Sequence, residues 1–434
     1  MLDRIRFSFR ALRHPDLRMF LLGQGISLVG TWMQQVAMSW LVYRLTGSTV
    51  LLGVVVCCNQ LPIFLVAGVS GALADRWSRH RMVVFAQLLA MLQAVVLAAL
   101  VLTGQVRVWH LVALSVWLGL ATGFDIPARQ ALLVRLVRGQ EDLPNAIALN
   151  SSIFNGARLV GPALAGILIG LVGEGPVFVL NALSYLAVLG ALATMETREP
   201  GAGSAGASVL TTIGEGLRYA LSSHSIRTIL FMLVLVSMVG LPYTALLPVF
   251  ARDILGGGAT TLGLLSSGAG LGALAGALSL ASRGSVRGLG ALIARCTALF
   301  GAALMAFAWS RDTWLSTALL ALAGFGLIST TASMNTILQT TVGEEMRGRV
   351  MSLYAMAFIG LSPLGALLGG ALAARIGAPL TVGAGGAVCL LLSVWFSRQL
   401  PRLQEVAEPE LRAGGHRPRA GYGATDGHRG GSGH

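Results

Sequence analysis

Charge is scarce in this sequence. Only 11% of its 434 residues are charged, lysine is absent, and 18 residues are acidic, whereas 55% are hydrophobic. A soluble domain carries roughly 25% charged residues. The charges are therefore too few to cover a soluble body of this size, and the composition indicates a chain whose solvent is the lipid bilayer.

Residues that commonly bind metals or perform catalysis are also few. The four cysteines lie in apolar stretches and lack the spacing of a disulfide framework or a zinc site. The seven histidines do not group with acidic residues or cysteines inside apolar segments, and no phosphate-binding loop occurs. We expect no enzyme activity, no metal site and no cofactor.

The basic residues, all arginines, give a net charge of +13. Such an excess raises nucleic acid as a partner, but a phosphate track needs a continuous soluble basic face. Here the arginines separate long apolar segments, as the positive-inside rule describes for membrane proteins. We therefore expect membrane lipid, and not nucleic acid, to be the partner.

Apolar segments long enough to cross a bilayer, about 20 residues in helix, recur along the chain. They cover residues 17–43, 50–74, 82–103, 108–133, 145–172, 176–195, 226–251, 259–282, 288–309, 313–339, 348–374 and 378–397. The first segment is too long for a signal peptide and has no small-residue cleavage site, so we expect it to be retained. This pattern predicts an all-α polytopic membrane protein with twelve transmembrane helices.

Arginines alternate between the connections, which predicts the orientation of the chain. The segment before the first span and every second loop after it are rich in arginine. The other side has only Arg44, Arg107, Arg252, Arg311 and Arg375. We therefore expect both termini in the cytoplasm of a bacterium, with the chain as a multi-pass protein of the inner membrane.

A long connection in mid-chain predicts two halves. It begins with a run rich in glycine and serine and continues through Val209, Ile213, Leu217 and Leu221, whose spacing indicates an amphipathic helix on the cytoplasmic face. We predict a six-helix bundle over 1–195, a linker over 196–224, a second six-helix bundle over 225–400 and a disordered cytoplasmic tail over 401–434. Weak similarity between the halves indicates a parallel repeat.

The most specific local motif joins the second and third spans. It contains Gly71, Asp75, Arg76, Arg79 and Arg81. The glycine permits close helix packing, and the aspartate and arginines provide an acceptor and donors for a latch at the cytoplasmic boundary. The simpler interpretation is an ordinary basic loop.

This motif resembles the hallmark loop of the major facilitator superfamily. Residues 123–130, 143–150 and 157–166 look like the branch that contains the bacterial enterobactin exporter and macrolide efflux proteins. The resemblance implies two six-helix bundles related by a pseudo-two-fold axis, which expose a midplane cavity alternately to each side. It also implies a cytoplasmic gate that includes Asp125 and Arg129.

Gly161, Pro162 and Gly166 resemble the fifth-helix motif of antiporters in the superfamily. Proline bends a helix and glycine permits tight packing against a partner span. We therefore expect the fifth helix to slide against that span during alternating access. The chain has Ala157 and Ala165 where glycines are typical, which weakens the antiport inference. The second half also lacks the acidic residue of the loop motif over 276–287.

Asp125 and Arg158 lie well inside predicted spans, where a charge is costly and needs a partner. Asp125 is interpreted either as part of a gate salt bridge with Arg79 or Arg76 or as a proton-coupling carboxylate. Arg158 is interpreted either as a structural residue or as a ligand for an anionic substrate group.

Polar residues on several spans are candidates for the cavity lining, because the fold places helices one, four, seven and ten around it. The alternative for each is a hydrogen bond between helices. The candidates are Gln24, Thr31, Gln35, Asn59, Asn155, Tyr243, Thr331 and Asn335.

The sequence predicts a monomeric secondary transporter that exports a small molecule, either a siderophore or an amphipathic drug, by alternating access. Proton-coupled antiport is the expected energy source. The alternatives are an importer or lipid flippase of the same fold, and a membrane scaffold or sensor that transports nothing.

Overall fold

The structure is a computed structural model that describes residues 10–74, 78–137, 141–195, 209–283, 286 and 288–414. Twelve long helices account for most of it. They are α1 (Pro15–Thr46), α2 (Thr49–Ala74), α3 (Arg79–Leu102), α4 (Val108–Leu136), α5 (Leu143–Val172), α6 (Glu174–Ala193), α7 (His224–Ile254), α8 (Ala259–Ala281), α9 (Leu289–Trp309), α10 (Thr313–Thr341), α11 (Glu344–Ile376) and α12 (Ala378–Gly414). Apart from the end of α12, each helix begins and ends within four residues of its predicted segment.

Eleven of these helices, α2 to α12, are long and apolar enough to cross a membrane. The remaining helix, α1, has 32 residues and spans about 48 Å, more than the roughly 30 Å of a bilayer core. Its polar stripe lowers its hydropathy. We assign α1 as the twelfth span. The side of the membrane where α1 begins is called the proximal side below, and the side where it ends is the distal side.

Two of the spanning helices contain wider π-helical turns. In α7 these turns cover Val236–Gly240 and Phe250–Ile254, and in α11 the turn covers Met356–Gly360. The first ends two residues before Pro242 and the last ends three residues before Pro363. Proline lacks the N–H of a regular turn and its ring displaces the preceding carbonyl, which favours a wider turn there. Apolar periodicity predicts each helix as continuous, so these local bends are additional information from the structure.

The helices form two packed groups. In the first half, α1 packs on α5 and α6, and α3 packs on α4 and α6; in the second half, α8 packs on α10, and α9 packs on α10 and α12. The halves meet along α2 with α11 and α5 with α8. Small residues make these contacts possible: a Cβ added to Gly53 would lie 2.5 Å from the carbonyl oxygen of Ala366.

Hydrogen bonds between the halves lie at mid-length or at the distal end of the helices, as far as the described residues go. Thr49 donates to the Gly370 carbonyl at 2.9 Å, and Thr260 donates to the Gly166 carbonyl at 3.1 Å. Ser267 donates to the Leu159 carbonyl at 2.9 Å nearer mid-length. The two halves are therefore joined on the distal side.

The predicted amphipathic helix of the linker is present at Val209–Ser222, and the linker residues before it lie outside the described residues. Glu215 of this helix pairs with Arg349 at the start of α11 at 2.9 Å. Leu217 and Leu221 are exposed. This linker helix is thus attached to the second half by an ion pair and leaves apolar side chains uncovered.

The expectation of a tail without regular structure from residue 401 is wrong for its first part. The helix α12 continues to Gly414. Residues 403–408 are mainly leucine, glutamine, glutamate and alanine, which favour helix, and no glycine occurs over residues 401–413. Residues 415–434 lie outside the described residues.

Candidate transport cavity

A cavity of about 380 Å³ lies between the two halves. Its walls come from α1, α2, α4, α5, α7 and α8, and polar groups alternate with leucine, valine and methionine side chains. The polar lining residues are Thr31, Gln34, Gln35, Ser39, Asn59, Gln60, Ser115, Thr122, Arg158, Tyr243, Thr244 and Ser266. Among the described residues of α10, which the fold was expected to place at the cavity, none lines it.

Half of the predicted lining residues lie at this cavity. Thr31, Gln35, Asn59 and Tyr243 contribute to its wall. Their positions on α1, α2 and α7 follow from the helical periodicity of the polar stripe on α1 and from the contact between the halves.

The other predicted lining residues lie elsewhere. Gln24 is buried among the helices of the first half. Asn155 donates to the Ser151 carbonyl on its own helix at 2.8 Å, and Thr331 donates to the Leu327 carbonyl at 3.0 Å. Asn335 accepts from Gln339 at 2.6 Å. Local bonds on their own helices satisfy the last three, so their polarity did not mark the cavity.

Among the residues that the structure describes, Arg158 is the only charged one that lines the cavity. Its guanidinium carbon lies 5.7 Å from the centre of the Trp32 ring, a cation–π contact. Trp32 is held in turn by an edge contact with Phe154 at 5.8 Å. No carboxylate in the described part of the chain forms an ion pair with Arg158. The cavity therefore has a positive charge that no described carboxylate neutralises.

Tyr243 faces the same cavity from α7. The residue is 1% exposed, and its hydroxyl has no hydrogen-bond partner among the described residues. The ring makes an edge contact with Phe300 at 6.2 Å. Tyr243 directly follows Pro242 and the π-helical turn, which set its position on the helix. A buried phenol of this kind has a donor available for a ligand.

Asp125 lies within α4 and is 8% exposed. Arg129, one turn further along the same helix, approaches its carboxylate at 3.2 Å, and Gln87 of α3 donates to it at 2.8 Å. An ion pair with Arg79 is not formed, because Arg129 and Gln87 contact the carboxylate, and Arg76 lies outside the described residues. The buried charge is thus paired with an arginine within the span.

A chain of buried amides crosses the first half and was not predicted. Gln34 donates to Gln93 at 2.9 Å, and Asn181 donates to Gln34 at 2.7 Å. The three side chains come from α1, α3 and α6 and are nearly or fully buried. Gln34 also lines the cavity. Isolated amides in apolar helices are a signal for such bonds, but their partners depend on helix rotation.

The loop motif is described only in part. Asp75 and Arg76 lie outside the described residues, and Gly71 lies in the last turn of α2. Arg79 and Arg81 lie in the first turn of α3, where the Ser78 hydroxyl caps the helix by accepting from the Arg81 amide. The latch between these residues therefore stays a prediction.

The fifth-helix motif lies at two helix contacts. A Cβ on Gly161 would lie 2.6 Å from the Trp32 Cβ of α1, and a Cβ on Gly166 would lie 2.9 Å from the Gly263 Cα of α8. Pro162 is buried beside them and lines the cavity. The motif thus connects the cavity wall to the contact between the halves.

A cluster of charged residues around Asp142 at the proximal side was also not predicted. Asp142, whose side chain is 0% exposed, precedes α5 and pairs with Arg10, with Arg13 at 2.7 Å and with His14 at 3.0 Å. Burial alone raises the pKa of the Asp142 carboxyl, but the His14 hydrogen bond and the two arginine charges outweigh it, so the pKa lies below its ordinary value. This cluster anchors the segment before α1 to the start of α5.

Two further pairs lie at the distal end of α1. Arg44 pairs with Glu174, the first residue of α6, at 2.7 Å. The hydroxyl of Tyr43 donates to Asp253 at the end of α7, and Arg252 lies 6.0 Å from the centre of the Tyr43 ring. Arg44 is one of the few arginines on the arginine-poor side, and this position was a signal for its pair with Glu174.

Curated proteins of known function resemble the chain over most of its length. The multidrug efflux pump Tap of Mycolicibacterium fortuitum is 28% identical over 394 residues, which cover 88% of this chain and 93% of the pump. The enterobactin exporter EntS of Salmonella typhimurium is 28% identical over 370 residues, 84% of this chain and 87% of the exporter. The staphyloferrin A transporter of Staphylococcus aureus is 25% identical, with 78% and 85% covered.

Solved structures show the same fold. An inward-facing, unoccupied bacterial homologue of the human lysosomal transporter Spinster superposes with a TM-score of 0.69 at 16% identity, with 90% of this chain and 97% of the other covered. A bacterial homologue of the iron transporter ferroportin, also inward-facing, gives 0.67 at 17% identity, with 88% and 98% covered.

The transmembrane secretion effector family matches residues 7–420, nearly the whole chain. The match covers all twelve helices and the cavity between the halves. The chain therefore belongs to the transmembrane secretion effector family and is a multi-pass membrane transporter of the major facilitator type that exports small molecules.

Proposed function

We propose that this transporter uses the proton gradient to export a siderophore or an amphipathic drug from the bacterial cytoplasm as a monomer, with both termini cytoplasmic. Relatives named for multidrug, macrolide, enterobactin and staphyloferrin A transport support the substrate range. In this orientation the proximal side is cytoplasmic, and a structure joined at its distal end corresponds to the inward-facing state.

The proposed coupling site is the pair of Asp125 and Arg129. Asp125 is buried. With the spanning part of α12 taken as Ala378–Pro401, it is the only acidic residue among those described that lies more than one turn inside a membrane-spanning segment. An intramembrane carboxylate is costly and is a common position for proton transfer. This single observation supports proton coupling over transport driven by the gradient of the substrate alone.

The charges of the pair give the coupling a physical basis. While Asp125 is ionised, it neutralises Arg129 at 3.2 Å. When Asp125 takes up a proton, Arg129 loses its counter-charge, and moving toward water then lowers the free energy of the guanidinium. The two protonation states therefore favour different positions of α4 against its neighbours.

The same pair is also a candidate gate, and Asp125→Asn separates the two roles. If Asp125 couples protons, the variant in proteoliposomes loses accumulation driven by a pH gradient but keeps exchange of labelled for unlabelled substrate. If the pair only closes a gate, driven transport and exchange fall together. Glu345→Gln, which changes an exposed acidic residue at the start of α11, is the matched control.

The test of export begins in cells. Expression in an efflux-deficient host is expected to raise resistance to at least one macrolide, dye or siderophore analogue and to lower its accumulation, and a protonophore is expected to abolish both effects. Increased accumulation would indicate import, and an absence of flux across the panel would favour a scaffold. Reporter tags at the first residue and in the linker test the orientation, since both should be cytoplasmic.

A further inference from the structure

The cavity has an asymmetry of charge that the export function leaves unexplained. Arg158 lies nearly halfway along α5, where a cation costs several kcal/mol unless it has partners or water. Its partner among the described residues is the face of Trp32, which weakly compensates a full charge. None of the described residues that line the cavity is acidic. The charge of Arg158 is therefore available to a ligand in the cavity.

The surroundings of Arg158 are suited to an anion. The Tyr243 hydroxyl is buried, lines the same cavity and has no partner among the described residues, so it can donate to a ligand. A guanidinium and a phenol together provide charge-assisted donors for a carboxylate, phenolate or similar oxyanion. Low-dielectric walls strengthen the attraction.

The rest of the cavity is suited to an apolar body. Met38, Leu52, Val55, Leu118 and Leu262 contribute to its walls around the polar groups. Cavities of this kind bind ligands mainly by apolar contact and orient them by a few polar groups. A ligand with an anionic group and an apolar or aromatic body matches both parts.

We infer that Arg158 and Tyr243, with Trp32 behind the guanidinium, form the anion subsite of the transporter, and that its preferred substrates are amphipathic anions. The inference rests on the proposed export function and narrows its substrate class. The positive charge also disfavours cations, because a cationic ligand would add a second positive charge to a cavity whose described lining has no acidic residue. Selectivity between charges is thus built into the cavity wall.

The anion subsite is tested by the binding of dyes to purified protein in detergent, which requires neither an ion gradient nor a known direction of transport. The probes are fluorescein, an aromatic anion, and rhodamine 6G, a cation with the same xanthene ring system, measured by fluorescence anisotropy. We expect saturable binding of fluorescein, at least tenfold tighter than that of rhodamine 6G. Arg158→Gln should weaken fluorescein binding at least tenfold, and Tyr243→Phe about threefold to tenfold.

The controls separate charge from folding. Arg158→Lys keeps the charge and should stay within about threefold of the wild type, while Arg295→Gln removes an exposed arginine of α9 and should have no effect. Gel filtration of each variant checks that it is folded. Rhodamine 6G binding should not fall in Arg158→Gln.

The inference is overturned if the wild type shows no saturable fluorescein binding, if Arg158→Gln binds like the wild type, or if both probes weaken equally in Arg158→Gln. Anion-selective binding without flux in vesicles would instead count against export while it supports the subsite. Proton-driven efflux of cations that Arg158→Gln leaves unchanged would support export and overturn the subsite.

Discussion

The hydroxyl of Tyr43 on α1 donates a hydrogen bond to the carboxylate of Asp253 on α7. This bond joins the first helix of each half at the distal end, where Thr49 and Gly370 form a second connection. In a transporter that alternates between two states, contacts present in only one state set the ratio of their populations.

Tyr43→Phe should therefore shift the population away from the state described here. The acceptor of this hydrogen bond is the charged carboxylate of Asp253. Loss of the bond is therefore expected to cost about 1.5 kcal/mol, roughly a tenfold change in the ratio of the two states. Spin labels on α1 and α7 at the distal end should show a larger fraction at long distance. Tyr219→Phe on the linker helix is the control, and an unchanged distance distribution in Tyr43→Phe would contradict the prediction.

The contact between α5 and α8 should not tolerate a larger residue at Gly166. A Cβ there would lie 2.8 Å from the Ala259 carbonyl oxygen, so Gly166→Ala forces the halves apart and is expected to cost about 1 to 3 kcal/mol. Gly156→Ala on the same helix is the matched control, because a Cβ at Gly156 meets nothing within 4 Å. The melting temperature in detergent should fall for the first variant only.

The amide chain predicts an order of destabilisation. Gln34 lies between Gln93 and Asn181, so Gln34→Leu leaves two buried amides without this partner and should cost about 2 to 4 kcal/mol. Gln93→Leu removes one partner of Gln34 only and should cost less. Thermal unfolding of both variants gives the comparison, and a larger loss in Gln93→Leu would show that the amides do not act as described.

The cluster around Asp142 predicts a pH dependence. A carboxyl whose pKa is lowered in the folded protein stabilises the fold above its unfolded pKa of about 3.9, and the stabilisation is lost as the pH falls below that value toward the folded pKa. Asp142→Asn should therefore lower the melting temperature at pH 7, and the difference should shrink below about pH 4. Glu141→Gln, which changes the exposed neighbour, should show a much smaller effect at either pH. A difference that stays constant between pH 3 and pH 7 would contradict the assignment.

The positions of the helices could be predicted because length and hydropathy determine whether a segment can remain in lipid. The family could be predicted from the loop motif and the blocks around Asp125 and Pro162. The partners of polar side chains could not, because they depend on how each helix is rotated and bent. Thr31 and Gln24 lie on one stripe of α1, yet only Thr31 lines the cavity.

Partners within one helix also misled the prediction. One of the two interpretations of Asp125 was a salt bridge with Arg79 or Arg76, but Arg129, one turn away on the same helix, pairs with its carboxylate. Asp142 pairs with residues 128 to 132 positions earlier in the chain, and Glu174 pairs with Arg44, 130 positions earlier. No local sequence pattern indicates partners so far apart.

The polarity of α1 also bears on how the protein is made. Among the described spans, α1 alone is less apolar than a membrane-crossing helix usually is, whereas α2 to α12 are long and apolar enough to cross. Only Gly47 and Ser48 separate it from α2, and Gly47 adopts a positive φ of 58° that closes a tight turn. We therefore expect α1 to enter the translocon's lateral opening together with α2 as a helical hairpin, so that truncation before α2 would leave α1 uninserted.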